Sequence, residues 1–112
     1  MRNAAINYYA GRKGNCAQAV AAAWNERTGQ NVEVGSYKEF GHGKAPEGMC
    51  GALYAACDIA GEPHADKIRG QFILSSGGNT VCRDIRRNGN LSCAECVMHA
   101  AELLEQNCHR ED

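Results

Sequence analysis

Cysteine is the residue type in this chain with the most chemistry to offer. Seven stand among 112 residues: Cys16, Cys50, Cys57, Cys82, Cys93, Cys96 and Cys108. An odd number suits a closed disulfide framework poorly. The opening segment, Met1 to Tyr9, has neither the long apolar run nor the small-residue cleavage site of a secretory leader. The expected setting is therefore cytoplasmic and reducing, where clustered cysteines point to metal binding or thiol redox chemistry. Two or three of the seven are expected to serve only as small buried apolar residues.

Four of the cysteines fall where helices are expected to begin. Ser92-Cys93-Ala94-Glu95 has the form of a capping box, with serine as the cap and glutamate three residues later. Asn15-Cys16-Ala17-Gln18 has the same form with an amide pair. Cys50 follows a glycine-containing loop and opens a further helix, and Cys82 follows a cap at Asn79 or Thr80. A helix N-terminus presents unpaired N–H groups and a partial positive charge. Both favour a thiolate and are expected to lower its pKa. If the four ends converge, Cys16, Cys50, Cys82 and Cys93 form a pocket suited to an anionic metal centre. Iron–sulfur clusters are commonly held by four such thiolates. Seven cysteines and several helices also offer many chance coincidences, so the pattern alone leaves a four-thiolate site and plain helix-end cysteines about equally supported.

The pair Cys93 and Cys96 is a CxxC, with both residues on one helix face. It lacks the βαβ setting of a thioredoxin-like pair, and Val97 stands where haem attachment requires histidine. It also lacks the second close cysteine pair of a zinc ribbon. Cys96 is a secondary candidate ligand. Cys57 follows Cys50 by two helical turns, about 10 Å along the axis, too far for a disulfide within an intact helix, and reads as core. Cys108, near the end of its helix, reads as an exposed thiol without a role.

Other candidates are weaker. Gly41-His42-Gly43-Lys44 has a phosphate-loop flavour, but Ala45 follows the lysine where serine or threonine is needed. A loop that leads into Cys50 is the better reading. His99 lies between Glu95 and Glu102 and is expected on a solvated face. His42, His64 and His109 fall in loops or at the chain end. Arg83, Arg86 and Arg87 form a small basic group after Cys82, by default a solvated face. No Ser-His-Asp or paired-carboxylate arrangement stands out, so no established catalytic motif marks an enzyme; an oxidoreductase or an electron carrier both remain open.

The cysteine-bearing segments resemble the redox-active family named for its pattern of C, GCAxxG, C and C. The matching stretches are Gly14-Asn15-Cys16-Ala17-Gln18-Ala19-Val20, Gly48-Met49-Cys50-Gly51-Ala52-Leu53-Tyr54-Ala55, Cys82-Arg83-Asp84-Ile85, and Cys93 followed by Ala100-Ala101-Glu102-Leu103-Leu104. They run in the family's order over most of the chain. The resemblance implies that the family's four cysteines are Cys16, Cys50, Cys82 and Cys93, with Cys57, Cys96 and Cys108 outside the pattern. Two departures stand out: Ala55 replaces the closing glycine of the central motif, and Met49 stands where glycine often precedes the cysteine. The segments also look similar to the iron–sulfur part of split-Soret cytochromes, which are dimeric. The resemblance favours an iron–sulfur cluster and implies no haem here. An alternative is a thiol–disulfide protein in which Cys16 or Cys93 attacks and a neighbour resolves. A further alternative is structural zinc.

The elements that must position these residues read as helices between Gly- and Asn-rich turns. Expected helices cover Asn3–Ala10, closed by Gly11, Cys16 to about Thr28, closed by Gly29, a short one at Ser36–Phe40, Cys50–Ala60, His64 to Ser75, a short one ending at Arg86, and a final helix from Cys93. In the fourth long stretch Ala65, Ile68, Phe72 and Ile73 should face inward. In the last, Cys93, Cys96, Val97, Ala100, Ala101, Leu104 and Cys108 make the apolar stripe. Strand signals are weak. The expectation is one all-α domain over residues 1–112, a small bundle of about five or six short helices.

Composition narrows the partners. The net charge of −1 argues against phosphate-backbone binding, so no nucleic acid is expected. No apolar run approaches the roughly 20 residues of a membrane span. Apolar residues make up 44% of the chain but aromatics only 6%. A core so rich in alanine fills little volume, which allows a homodimer. An unidentified redox partner completes the expected picture.

Overall fold

Apolar residues at helical spacing give the chain its architecture. The structure, a computed structural model, describes residues 1–41, 45, 48–87 and 91–108. Residues His42, Gly43 and Lys44 of the loop expected before Cys50, residues Asn88-Gly89-Asn90, where the sequence leads one to expect a turn, and His109 lie outside the described residues. Six α-helices follow one another: α1 (Arg2–Ala10), α2 (Cys16–Thr28), α3 (Gly51–Ala60), α4 (His64–Ser75), α5 (Cys82–Arg87) and α6 (Cys93–Cys108). A 3-10 helix, Val34–Phe40, lies between α2 and α3. Among the described residues there is no strand, only an isolated antiparallel bridge between Met49 and Val81. The all-α expectation holds.

The local signals at the helix starts work as read. The Asn15 side chain accepts a hydrogen bond from the Gln18 backbone N–H at 2.9 Å, and the Asn15 N–H donates to Gln18 Oε1 at 3.0 Å. Ser92 and Glu95 make the same reciprocal pair at 3.1 and 2.8 Å. Each pair satisfies N–H groups that a bare helix end leaves orphaned. At the other end of α2, Gly29 takes the left-handed conformation, φ 77°, which glycine adopts without steric cost.

The core is built from small residues at close helix contacts, with a few large ones filling the gaps. Ala17, Ala19, Ala21 and Ala23 of α2 are buried, as are Ala52, Ala55 and Ala56 of α3 and Ala100 and Ala101 of α6. Leu53, Ile68, Phe72, Ile85 and Leu104 are the largest fully buried aliphatic and aromatic side chains. α6 packs against α1, α2, α3 and α4, so its buried face is wide and takes in Leu103 with Cys96, Val97, Ala100, Ala101 and Leu104, while Cys93 and Cys108 at the ends of the expected stripe are half-buried. Ala55, at the position of the family's closing glycine, is fully buried within α3.

Gly11 closes α1 as expected, at φ −76°, and Arg12 takes the positive angle, 58°. Three expectations are corrected. Neither Asn79 nor Thr80 caps α5. The Asn79 side chain donates back to the Ser76 carbonyl at 3.0 Å, the Thr80 carbonyl accepts from the Cys50 N–H at 2.7 Å, and the first α5 hydrogen bond runs from the Ile85 N–H to the Val81 carbonyl. Ile73 is only partly buried. His99 is half-buried rather than on a solvated face: its ring centroid lies 5.7 Å from that of Phe72 in α4, and Nε2 is buried with no hydrogen-bond partner among the described residues.

Candidate functional site

The residues at the helix starts meet. Cys16, Cys50, Cys82, Cys93 and Cys96, with Tyr9 and Ile85, line a single cavity. Its free volume is about 10 Å³, room for about one water-sized atom. Cys16 and Cys82 are the first residues of α2 and α5, and Cys93 is the first of α6. Cys50 stands at the cap position of α3 rather than inside its first turn. Cys96 is one turn into α6, on the same face as Cys93.

Three local devices place the sulfurs. The first is the α2 cap. Besides capping, Asn15 donates from Nδ2 to the Lys38 carbonyl at 2.7 Å, tying the start of α2 to the end of the 3-10 helix. The second is the meeting of two distant segments. The Met49–Val81 bridge and the hydrogen bond from Cys50 N–H to Thr80 O hold the residue before α3 beside the residue before α5. Cys50 and Cys82 are thereby brought together across more than thirty residues of sequence. The third is Gly51. A Cβ there would stand 2.8 Å from Cys16 Sγ and would also press on the Phe40 carbonyl oxygen. Only a residue without a side chain lets α3 begin this close to Cys16.

Electrostatics at Cys50 run against the expected lowering. The neighbouring Cys96 thiol is the largest influence holding the Cys50 pKa well above the ordinary thiol range. Burial acts in the same direction. The helix-start effect is present, since the backbone N–H groups of Ala52 and Leu53 favour the Cys50 thiolate, but it is the weaker influence. Cys50, a residue only 4% exposed, is too poorly solvated to ionise on the strength of backbone amides alone.

The remaining cysteines are elsewhere. Cys57, 8% exposed, lies between α3 and α4, where its thiol contacts the Ala65 carbonyl at 3.7 Å. Burial pushes its pKa up to about 11, against a lowering influence from Arg69. That is the behaviour of the core cysteine expected from spacing. Cys108 is half-buried and packs on the core rather than lying open.

All seven cysteines are thiols, none in a disulfide. Among the described residues no three His, Cys, Asp or Glu side chains are already spaced as ligands of one metal ion. The cavity nonetheless carries the donor set that soft metals and iron–sulfur centres use, in a lining otherwise apolar. Thiol ligands bind as thiolates, so metal binding releases their protons and redirects their side chains.

Sequence reasoning selected four of these cysteines and ranked Cys96 below them. The helical spacing to Cys93 was the signal for it. Tyr9, Ile85 and Gly51 carried no such signal, because each acts through contacts between segments far apart in the chain. Comparison with protein-family models, with curated proteins and with solved structures finds no match to this chain. No helix among the described residues is long and apolar enough to cross a membrane.

Proposed function

We propose that the chain binds an iron–sulfur cluster through Cys16, Cys50, Cys82 and Cys93 and serves in electron transfer or redox sensing. The observation that carries this reading is the gathering of these thiols from four separate helix starts onto one small cavity. Core cysteines scattered by chance have no reason to share a cavity. The order of the four cysteines, shared with the redox-active family described above, supports the same reading.

When bound, such a cluster supplies one-electron chemistry at a potential tuned by charge, hydrogen bonds and burial. The chain's contribution is the surroundings. Backbone N–H groups at the helix starts favour negative charge on sulfur, and the apolar walls from Ile85 and Tyr9 limit solvent. The small free volume means that the thiol side chains must turn outward to admit a cluster. A single zinc ion held by four thiolates needs less space, and this makes zinc the second reading.

The test is metal and sulfide analysis with a visible absorption spectrum, on protein purified without oxygen. Brown protein with iron and inorganic sulfide in similar amounts is expected. Serine at Cys16, Cys50, Cys82 or Cys93 should each remove most of the colour, and Cys57→Ser should not. Zinc without colour would establish the second reading. Colourless, metal-free protein that takes up neither iron with sulfide nor zinc would overturn both.

A further inference from the structure

Away from the cysteines, α1 and α2 leave a recess between them. Its free volume is about 140 Å³, and it shares no lining residue with the cysteine cavity. We propose that this recess is a binding site for a small zwitterion of the α-amino acid class, with the ligand's carboxylate on Lys13 and its ammonium on Glu26.

The recess follows from the spacing of residues on two helices. Ala4, Asn7 and Tyr8 stand at i, i+3 and i+4, on one face of α1. Ala22 and Glu26 stand at i and i+4 on α2, with Ala23 beside them. The two helices pack together. Large side chains would close such a seam, but the three alanines leave it open, and Asn7, Tyr8, Lys13 and Glu26 supply the walls. Lys13 is held beside α1 by the hydrogen bond from its N–H to the Tyr8 carbonyl at 3.2 Å. The Tyr8 ring has little freedom: a Cβ at Gly14 would meet its Cε1 at 2.8 Å, so the ring lies close against the chain there. These parts of the wall are in place before a ligand arrives.

The polar groups of the recess are unspent. Among the described residues, none of the four polar side chains has a hydrogen-bond or ion-pair partner. Other charges on the same two helices are paired, Arg2 with Glu102 at 3.8 Å and Arg27 with Glu105 at 2.8 Å. Lys13 and Glu26 line one recess with opposite charges and do not pair. A ligand complementary to both offers a negative group to Lys13 and a positive group to Glu26. Asn7 and Tyr8 can each donate and accept, so they suit either end of such a ligand or a side-chain hydroxyl. A concave site with a few converging polar groups is the usual form of a small-molecule pocket.

Size narrows the class. A cavity of about 150 Å³ holds a benzene-sized molecule, and glycine, alanine and serine have a similar number of non-hydrogen atoms. An aromatic amino acid is too large. The alanine floor gives a methyl or methylene group an apolar contact. Binding here needs neither metal nor redox change, so it does not rest on the four-thiolate reading.

The test follows the backbone amide NMR signals of the full chain during titration with glycine, L-alanine or L-serine. Saturable shifts are expected around Asn7, Tyr8, Lys13 and Glu26, with the signals of α4 unmoved. Acetate and methylamine each carry one of the two charges, and L-phenylalanine carries both but is too large. Each is expected to bind about tenfold more weakly, or worse. Lys13→Gln and Glu26→Gln should each weaken alanine or serine binding by a similar factor. Both residues are exposed, so the variants should keep the fold, which unchanged α4 and α6 signals verify. Absence of saturable shifts with all three small amino acids overturns the proposal. So does acetate or methylamine binding as tightly as alanine, which would make the recess a site for a single charge. Unchanged affinity in either variant, or shifts confined to another part of the chain, overturns it as well.

Discussion

At the scale of single residues, the site depends as much on an absent side chain as on the sulfurs. Gly51 follows Cys50 directly and faces Cys16 Sγ, so it sets the separation of two of the candidate ligands. Gly51→Ala places a methyl group 2.8 Å from that sulfur and against the Phe40 carbonyl oxygen. The sulfur could turn aside, but the backbone oxygen cannot without shifting the 3-10 helix. Overpacking of this kind costs about 1–3 kcal/mol. We expect Gly51→Ala to lower the urea midpoint by a corresponding amount and to reduce iron and sulfide uptake in the variant that remains folded. Normal uptake at unchanged stability would show that the close approach is not needed. The same residue scale explains why Cys50 departs from the simple helix-start rule. The sequence shows its backbone amides but not its neighbour, and the neighbour, Cys96, is the larger influence.

At the scale of elements, the α3–α4 contact yields a pH dependence. An unfolded chain releases the Cys57 proton from about pH 8.5 upward, whereas burial in the folded chain holds it to about 11. Between these values the unfolded state binds fewer protons, so stability falls as pH rises. Below about pH 8 neither state has ionised and no change is expected. Cys50, raised for its own reasons, acts in the same direction. For reduced, metal-free protein we expect Cys57 alone to contribute a loss of about 1 kcal/mol between pH 7.5 and 9.5, measured by urea denaturation against Cys57→Ala. Cys57→Ala should start less stable and show a shallower decline; an unchanged slope would remove Cys57 as a source. The elements also show which signals are readable from sequence. Both capping boxes were legible because their partners lie three residues apart. The α5 start was misread because the bridge that holds Val81 against Met49 and the Thr80 carbonyl against Cys50 delays the helix to Cys82, while Asn79 turns back to Ser76. His99 was misread because a helical wheel contains no α4, and Phe72 of α4 is what packs beside it. Five of the site's lining residues are cysteines whose types could be seen at once, but that they share a cavity is a tertiary fact.

At the scale of the whole molecule, the cavity joins helices that packing secures unequally. It is lined from α1, α2, the start of α3, α5 and α6. α5 is the weakest of these, with only six residues. A helix that short is unstable in isolation, because nucleation costs more than its few hydrogen bonds return. Its described anchors are the buried Ile85 and Cys82 and the Met49–Val81 bridge at its start. A ligand that binds the folded state alone stabilises it in proportion to the logarithm of its concentration over Kd. If Cys82 is one of its ligands, most of that gain is felt locally at α5, since α6 and α2 are already secured by wide packing. Amide exchange at residues 82–87 should therefore slow more on loading with iron and sulfide, or with zinc, than exchange in the middle of α6, and Tm should rise. In Cys82→Ser both effects should be lost while the α6 core stays protected. Uniform slowing across all helices would mean instead that loading stabilises the fold globally, and that α5 is already as firmly held as the rest.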